Sequence, residues 1–287
     1  MMTRTSIERG SQTALGKRFV ELHKSDDLLL LPNAWDVASA LLFADCGFPA
    51  IASTSAGIAY TTGLPDGEKI SRERMMAEVG PIIRAVDLPV TVDLEGGYGR
   101  RPGDVARTIE LAVDAGAVGA NIEDSTKGDP TDKGKPLFDL SLAIERLQAA
   151  RDAADSTSVP FVLNARVDGF LKLGPGPKVL EDTIRRGNAY ASAGASCVFV
   201  PGVVDIETIA ILTREIAAPI NILAWEGIPT IAKLKAAGVK RVSLGATLFR
   251  AAYSAAAAVA REARQSGTFR FDADMIPGAE FGRLFVR

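Results

Sequence analysis

Histidine and cysteine are scarce in this chain, with one histidine and two cysteines among 287 residues. His23 lies in the helix-like pattern FVELHK, far along the sequence from every group of acids, and we expect it to be an exposed helix residue. Cys46 and Cys197 have no metal-ligand spacing and are expected to be small buried side chains in a reducing compartment. These observations argue against a Ser-His-Asp triad, a Cys-His pair and a histidine-rich zinc site. The chemistry is therefore expected to use carboxylates, hydroxyls, arginine, lysine and a metal if one binds.

The sequence also lacks a long apolar segment and a run of basic residues. The N-terminus has no apolar stretch of the secretory kind, and the longest apolar run, AAYSAAAAVA, is too short to span a bilayer. The net charge is −2, with acidic and basic residues interspersed. We expect a cytoplasmic protein that binds neither nucleic acid nor membranes.

Short apolar runs recur through the chain, each followed by a loop and an amphipathic or alanine-rich segment. Eight such runs are strand-like: LLLLPNAWD, AIASTSAG, PVTVDLEGG, GANIEDS, PFVLNARVDG, CVFVPGV, PINILAW and RVSLGA. Several of the segments between them close on glycine, as the C-termini of helices often do. This rhythm predicts an α/β fold, a (β/α)8 TIM barrel with an extra N-terminal helix. Residues 1–287 are expected to form one domain, in which the tail 267–287 packs on the barrel or on a neighbouring subunit.

Polar residues follow the predicted strands at the end where barrel enzymes place their chemistry. Asp93 and Glu95 alternate on the third strand, so both side chains project from one face, which is unfavourable unless a positive group lies between them. Other strands contribute further polar residues: Trp35, Ser53, Thr54, Ser55, Asp66, Glu123, Arg166 and Asn221. Carboxylates and hydroxyls are the ligands that Mg²⁺ or Mn²⁺ prefers, and an arginine is suited to clamp a substrate carboxylate. The sequence therefore predicts a metal site at the barrel mouth.

The pieces PNAWDVASA, STSAGIA, GLPDG, VDLEGGYG, IEDS and NARVDGF occur in that order over about residues 28 to 170. Together they resemble the motifs of the isocitrate lyase/phosphoenolpyruvate mutase superfamily, in its short bacterial-type branch. The resemblance implies a barrel whose eighth helix is exchanged between subunits, in a tetramer or a dimer. It also implies a Mg²⁺-dependent lyase or mutase that breaks or forms a C–C or P–C bond next to a 2-oxo acid through an enolate.

The resemblance further implies roles for individual residues. Asp93 resembles the direct metal ligand, and Glu95 and Glu123 resemble the acids that hold metal-bound waters. Asp66 resembles a candidate proton handler, and Arg166 resembles the arginine that contacts the substrate carboxylate. Substrate-binding positions are expected at Trp35, Ser53, Thr54, Ser55 and Asn221.

Two departures from the family pattern bear on the reaction. The K-x-C-G-H signature of isocitrate and methylisocitrate lyases is replaced by STKGDPTDKGKPLFD, which argues against isocitrate cleavage, and Gly202 stands where a glutamate is expected. Lys127, Lys133 and Lys135 in that loop are either solvated charges or lysines that touch the substrate. Phosphonopyruvate chemistry, oxaloacetate decarboxylation or hydrolysis, another aldolase-type cleavage and a non-catalytic 2-oxo acid-binding barrel all stay open.

Overall fold

The computed structural model describes residues 8–128, 130–269 and 275–286. Residues 1–7 and parts of the predicted tail, 270–274 and Arg287, lie outside the described residues. Within the described ranges, nine parallel strands form one sheet in the order β1-β9-β8-β7-β6-β5-β4-β3-β2. The strands are β1 (Leu29–Leu31), β2 (Asn33–Ala34), β3 (Ile51–Ser53), β4 (Val90–Asp93), β5 (Gly119–Glu123), β6 (Val162–Arg166), β7 (Cys197–Val200), β8 (Ile220–Leu223) and β9 (Arg241–Ser243).

Nine strands arise where eight were expected because the first predicted strand is divided at Pro32. Proline has no N–H to donate to a ladder, so a strand tends to break there. The two halves pair on opposite sides, β1 with β9 and β2 with β3, so this one segment joins the two edges of the sheet. The result is a nearly closed parallel barrel, which confirms the predicted fold class.

Helices follow the strands as the apolar periodicity predicts. They are α1 (Arg9–Lys24), α2 (Val37–Asp45), α3 (Ser55–Thr61), α4 (Arg72–Arg84), α5 (Pro102–Asp114), α6 (Leu140–Asp155), α7 (Gly169–Leu173), α8 (Pro177–Ser192), α9 (Ile206–Glu215), α10 (Ile231–Ala236), α11 (Thr247–Ser266) and α12 (Gly278–Arg283), with a short 3-10 turn at Pro130–Asp132. The additional helices α3 and α7 are short and lie directly after β3 and β6. None of the helices in the described residues has both the length and the apolar character that a membrane crossing requires.

The N-terminal helix α1 packs across the N-terminal ends of the strands, and this placement corrects the expectation for His23. Phe19 and His23 of α1 are buried, and the Phe19 ring lies where a side chain on Gly119, the first residue of β5, would clash. His23 Nδ1–H donates to the Phe19 carbonyl at 2.8 Å, which leaves Nε2 facing Arg241 Nη1 at 3.5 Å. His23 is therefore a buried neutral side chain that closes the bottom of the barrel. Of the two cysteines, Cys197 is buried as expected but Cys46 is exposed.

Burial, and then the charge of Arg241, lower the pKa of His23 from 6.5 to about 4. Between those two values the unfolded chain binds a proton that the folded protein does not. The stabilisation from His23 is thus complete above pH 6.5 and is lost as the pH falls towards 4, by about 3 kcal/mol in total. We expect the difference in unfolding free energy between wild type and His23→Gln to shrink by that amount across this range. Urea denaturation at a series of pH values would measure it, and a constant difference would contradict this account.

The last long helix, α11, is mostly exposed. Only Phe249 of its 20 residues is buried, and Tyr253 is 54% exposed. In the tail, Leu284 and Phe285 pack against the core, whereas Phe269 is 70% exposed. An alanine-rich helix with one buried residue fits the expected exchange between subunits, which stays a prediction, as does the single-domain assignment.

Candidate active site

Acidic and basic side chains meet at the carboxyl ends of β4, β5 and β6. They border a cavity of about 490 Å³, a volume suited to a small ligand. The ends of β5 and β6 and the segments that follow β3, β4, β5 and β6 contribute its walls: Ser55, Asp66, Gly67, Lys69, Glu95, Glu123, Ser125, Thr126, Lys127, Gly128, Gly134, Lys135, Pro136, Arg166, Leu171 and Lys172. The cavity lies at the end of the barrel where the sequence predicted the site.

Asp93 ends β4 and is held by two serines of the neighbouring strand and helix. Its backbone N–H donates to Ser53 Oγ at 2.9 Å, and its Oδ2 accepts from Ser55 Oγ at 2.9 Å. The Glu95 N–H donates to Asp93 Oδ1 at 3.3 Å. Since Ser55 itself lines the cavity, this network fixes the Asp93 carboxylate directly behind the wall.

Glu95 occupies an unusual backbone position in the turn that follows Asp93. Its φ of 51° is in the left-handed region, and Gly97 has φ 88°, which glycine adopts at little cost. The turn buries the Glu95 carboxylate, where Oε2 accepts from the Glu68 N–H at 2.7 Å while Oε1 has no hydrogen-bond partner. Burial raises the pKa of Glu95 to about 7, against the opposing effect of the Lys127 charge. A strained backbone that buries an incompletely bonded carboxylate is typical of a functional site.

Lys127 lies between two of the predicted water-holding acids. Its Nζ is 2.9 Å from Glu95 Oε2 and 2.5 Å from Glu123 Oε1, and only 21% of its side chain is exposed. The interpretation of Lys127 as a solvated loop charge is therefore wrong, although Lys133 and Lys135 in the same loop are exposed. The ion pairs could not be foreseen because they depend on the conformation of that loop.

Arg166 ends β6 and joins Glu123 to a further acid, Asp168. Its Nη1 is 2.9 Å from Glu123 Oε2, and its Nε and Nη2 donate to the two carboxylate oxygens of Asp168 at 2.6 and 3.2 Å. Burial would raise the pKa of Glu123, but Arg166 and Lys127 together hold it below its usual value. Asp168 thus orients the arginine.

Two adjacent acids at the carboxyl end of β5, Glu123 and Asp124, have different surroundings. Glu123 lines the cavity, whereas Asp124 Oδ2 accepts from the Tyr190 hydroxyl at 2.7 Å and is 3.2 Å from Arg186 Nη1, both on α8. Strand alternation explains the division, since neighbouring residues project from opposite faces. Asp124 is therefore a structural acid that ties β5 to α8.

The remaining predicted site residues are distributed around this centre. Asp66 borders the cavity, and its pKa is raised by burial and then by the charge of Asp93. Thr54 caps α3 by accepting from the Gly57 N–H, and Trp35 packs edge-on against Phe249. Neither they nor Asn221 are among the residues that line the cavity; Asn221 is fully buried within the barrel beside Ser243.

Sequence reasoning missed Arg146, which secures the turn that carries the site. This α6 residue is 1% exposed, and its Nη1 donates to the carbonyls of Gly99 and Arg100 at 2.6 and 2.7 Å, while Nη2 donates to that of Gly96. The guanidinium also lies over the Phe138 ring, 4.4 Å from its centroid. The available signal was an arginine on the apolar face of α6, between the buried Ala143 and Ala150.

Replacing Arg146 with methionine should destabilise the protein and loosen the turn after β4. Three carbonyls would lose a charged donor, and we expect a loss of about 3 kcal/mol in unfolding free energy. Urea denaturation would measure the loss, with the exposed Gln148→Met on the same helix as control. A cost for Arg146→Met no larger than that of the control would show that the clamp is dispensable.

The donor set at the cavity fits a hard divalent cation that keeps some of its water. Within residues 8–128, 130–269 and 275–286, no three His, Cys, Asp or Glu side chains are arranged as a metal-binding cluster. The available groups are the Asp93 carboxylate, the unpartnered Oε1 of buried Glu95, and Glu123. Mg²⁺ is commonly bound by one or two carboxylates plus water and substrate, so oxygen donors of this kind suit it.

Comparison with known proteins assigns the chain to a family. The phosphoenolpyruvate phosphomutase family model matches residues 19–264. A solved protein from Burkholderia cenocepacia J2315, provisionally described as a lyase or mutase, is 40% identical with a TM-score of 0.90, over 97% of this chain and 98% of the other. The 2-methylisocitrate lyase of Halalkalibacterium halodurans is 28% identical over 90% of this chain and 85% of its own length. A structure of oxaloacetate acetylhydrolase with the product oxalate is 25% identical, with a TM-score of 0.83 over 95% and 94% of the two chains.

The chain therefore belongs to the isocitrate lyase/phosphoenolpyruvate mutase superfamily, as its motifs predicted. Its relatives include a 2-methylisocitrate lyase and an oxaloacetate acetylhydrolase, and the family model that it matches is that of phosphoenolpyruvate phosphomutase.

Proposed function

We propose that the protein is a Mg²⁺- or Mn²⁺-dependent carbon–carbon lyase acting on a small 2-oxo acid or a related hydroxy di- or tricarboxylate. The observation that carries this proposal is the continuous network from Ser55 through Asp93, Glu95 and Glu123 to Arg166 around one cavity. Glu95 and Glu123 connect through Lys127. Such a network offers carboxylate oxygens to a metal ion on one side and the Arg166 guanidinium to a substrate carboxylate on the other.

The residues that would hold the metal are Asp93 directly, with Glu95 and Glu123 through its waters. When bound, the cation supplies Lewis-acid stabilisation of negative charge on the keto oxygen of the substrate. Arg166, held in place by Asp168 through Nε and Nη2, would orient a substrate carboxylate with the N–H groups of Nη1 and Nη2 that Asp168 and Glu123 leave free. The backbone around Ser53, Thr54 and Ser55 would complete the wall that receives the acid.

Asp66 is the group best placed to handle a proton. It borders the cavity, and its raised pKa favours the protonated carboxyl more than at an ordinary aspartate. The cavity loop has neither the cysteine nor the histidine of the isocitrate lyase signature, so cleavage of isocitrate itself is not proposed.

A panel of 2-oxo and 2-hydroxy acids, assayed with and without Mg²⁺, tests the proposal. Release of pyruvate or glyoxylate from a hydroxy acid would support the lyase. Oxaloacetate hydrolysis, favoured by the relative whose structure holds oxalate, would release oxalate and acetate, whereas decarboxylation would release CO₂. Tight oxalate binding without turnover of any compound would overturn the enzyme proposal and leave the non-catalytic binder.

We also propose that the active form is a cytoplasmic homo-oligomer, a tetramer or a dimer. The exposed alanine-rich α11 supports this, because a second copy would cover it. Light scattering of wild type and Tyr253→Glu would test the proposal; equal monomer masses for both would refute it.

A further inference from the structure

The Lys127 ammonium contacts two carboxylates that the proposed function needs for a divalent cation. It is 2.9 Å from Glu95 Oε2 and 2.5 Å from Glu123 Oε1, and both carboxylates are at most 2% exposed. Each acid is thus shielded from water, and Lys127 supplies compensating charge to both, together with Arg166 at Glu123. The same oxygens are the ones that would accept from the waters of a cation bound to Asp93.

The conformation of the loop after β5 places Lys127 at this position. Lys127 has φ 55°, a left-handed conformation that a residue with a side chain adopts only at a cost. The preceding residue, Thr126, anchors the turn, since its N–H donates to the Pro136 carbonyl at 3.1 Å and its Oγ1 to the Lys135 carbonyl at 2.7 Å. The hydrogen bonds of Thr126 therefore join the two ends of the loop, and Lys127 places its ammonium group in the cavity.

We propose that Lys127 is an internal counter-cation that competes with the divalent cation for Glu95 and Glu123, so that cation binding releases residues 125–128 from the site. The inference rests on the metal assignment in the proposed function. A doubly charged ion and an ammonium group that share the same buried carboxylates repel each other strongly in a medium of low dielectric. Departure of the ammonium relieves that repulsion and frees the oxygens for water.

Mn²⁺ binding in the absence of substrate tests the competition without reference to turnover. Lys127→Met keeps the length of the side chain and removes its charge, and we expect Mn²⁺ to bind at least about tenfold more tightly by calorimetry. Lys133→Met is the matched control: it removes the same charge from the same loop, at an exposed residue with φ 52°. Lys133→Met and Lys127→Arg should both bind as wild type does.

Hydrogen exchange of the loop gives a second, structural readout. Mn²⁺ should increase exchange in wild-type residues 125–128 and 130–136, and it should have little effect in Lys127→Met, where the ion pairs of Lys127 are already absent. Equal affinity of wild type and Lys127→Met, weaker binding by Lys127→Met, or protection of the wild-type loop by Mn²⁺ would overturn the competition alone. Failure of all four proteins to bind Mn²⁺ would overturn the metal assignment as well.

Discussion

Replacing Asp93 with asparagine should abolish metal-dependent ligand binding and lower turnover by at least about a thousandfold. Asparagine has the same shape, and its side-chain oxygen can still accept the hydrogen bond from Ser55, but it lacks the negative charge that would hold the cation directly. Calorimetric titration with oxalate in the presence and absence of Mn²⁺ would measure the binding, and the substrate panel would measure turnover. The fold should persist, because its core does not depend on this carboxylate.

The control for this experiment is Asp114→Asn, which removes an exposed carboxylate at the end of α5. That variant should bind oxalate as wild type does. Asp93→Asn with a normal far-ultraviolet spectrum and undiminished Mn²⁺-dependent oxalate binding would remove Asp93 from the metal site.

The second large effect is expected at Arg166, because this side chain has two tasks. Arg166→Met would remove the proposed clamp for the substrate carboxylate, and we expect carboxylate ligands to bind about 10- to 100-fold more weakly. It would also leave the buried Glu123 and Asp168 without their shared cation, at a cost of about 3 to 5 kcal/mol in unfolding free energy. Calorimetry and urea denaturation measure the two effects separately.

Arg166→Lys distinguishes charge from geometry at this position. Lysine restores the positive charge, but it lacks the two parallel N–H groups that donate to the Asp168 carboxylate. We expect it to recover part of the stability and little of the ligand affinity. Full recovery of ligand affinity by lysine would mean that charge alone is sufficient.

Much of the fold followed from the sequence because its determinants are local. Apolar runs of a few residues predicted β3 to β9, since strands buried on both faces need no alternation. Gly47, Gly116, Gly194 and Gly238 all have positive φ after their helices, as the C-cap interpretation requires. The same local reasoning located the strand ends that carry Asp93, Glu123 and Arg166.

What the sequence could not predict depends on contacts between distant segments. His23 was expected at the surface because it lies in a helix-like pattern far along the sequence from the acids, whereas its burial is decided by the barrel that α1 covers. Arg146 acts on a turn 46 to 50 residues earlier in the chain. Lys127 reaches Glu95 through a left-handed turn that no propensity would favour for lysine.

The divided first strand has a consequence for biosynthesis. Leu29–Leu31 (β1) pairs with Arg241–Ser243 (β9), so β1 has no strand to pair with until translation has passed residue 243. Until then the incomplete sheet of a nascent chain has an edge with unpaired backbone N–H and C=O groups. Strands of other polypeptides can pair with such an edge. Closure of the ring is thus among the last steps of folding during synthesis.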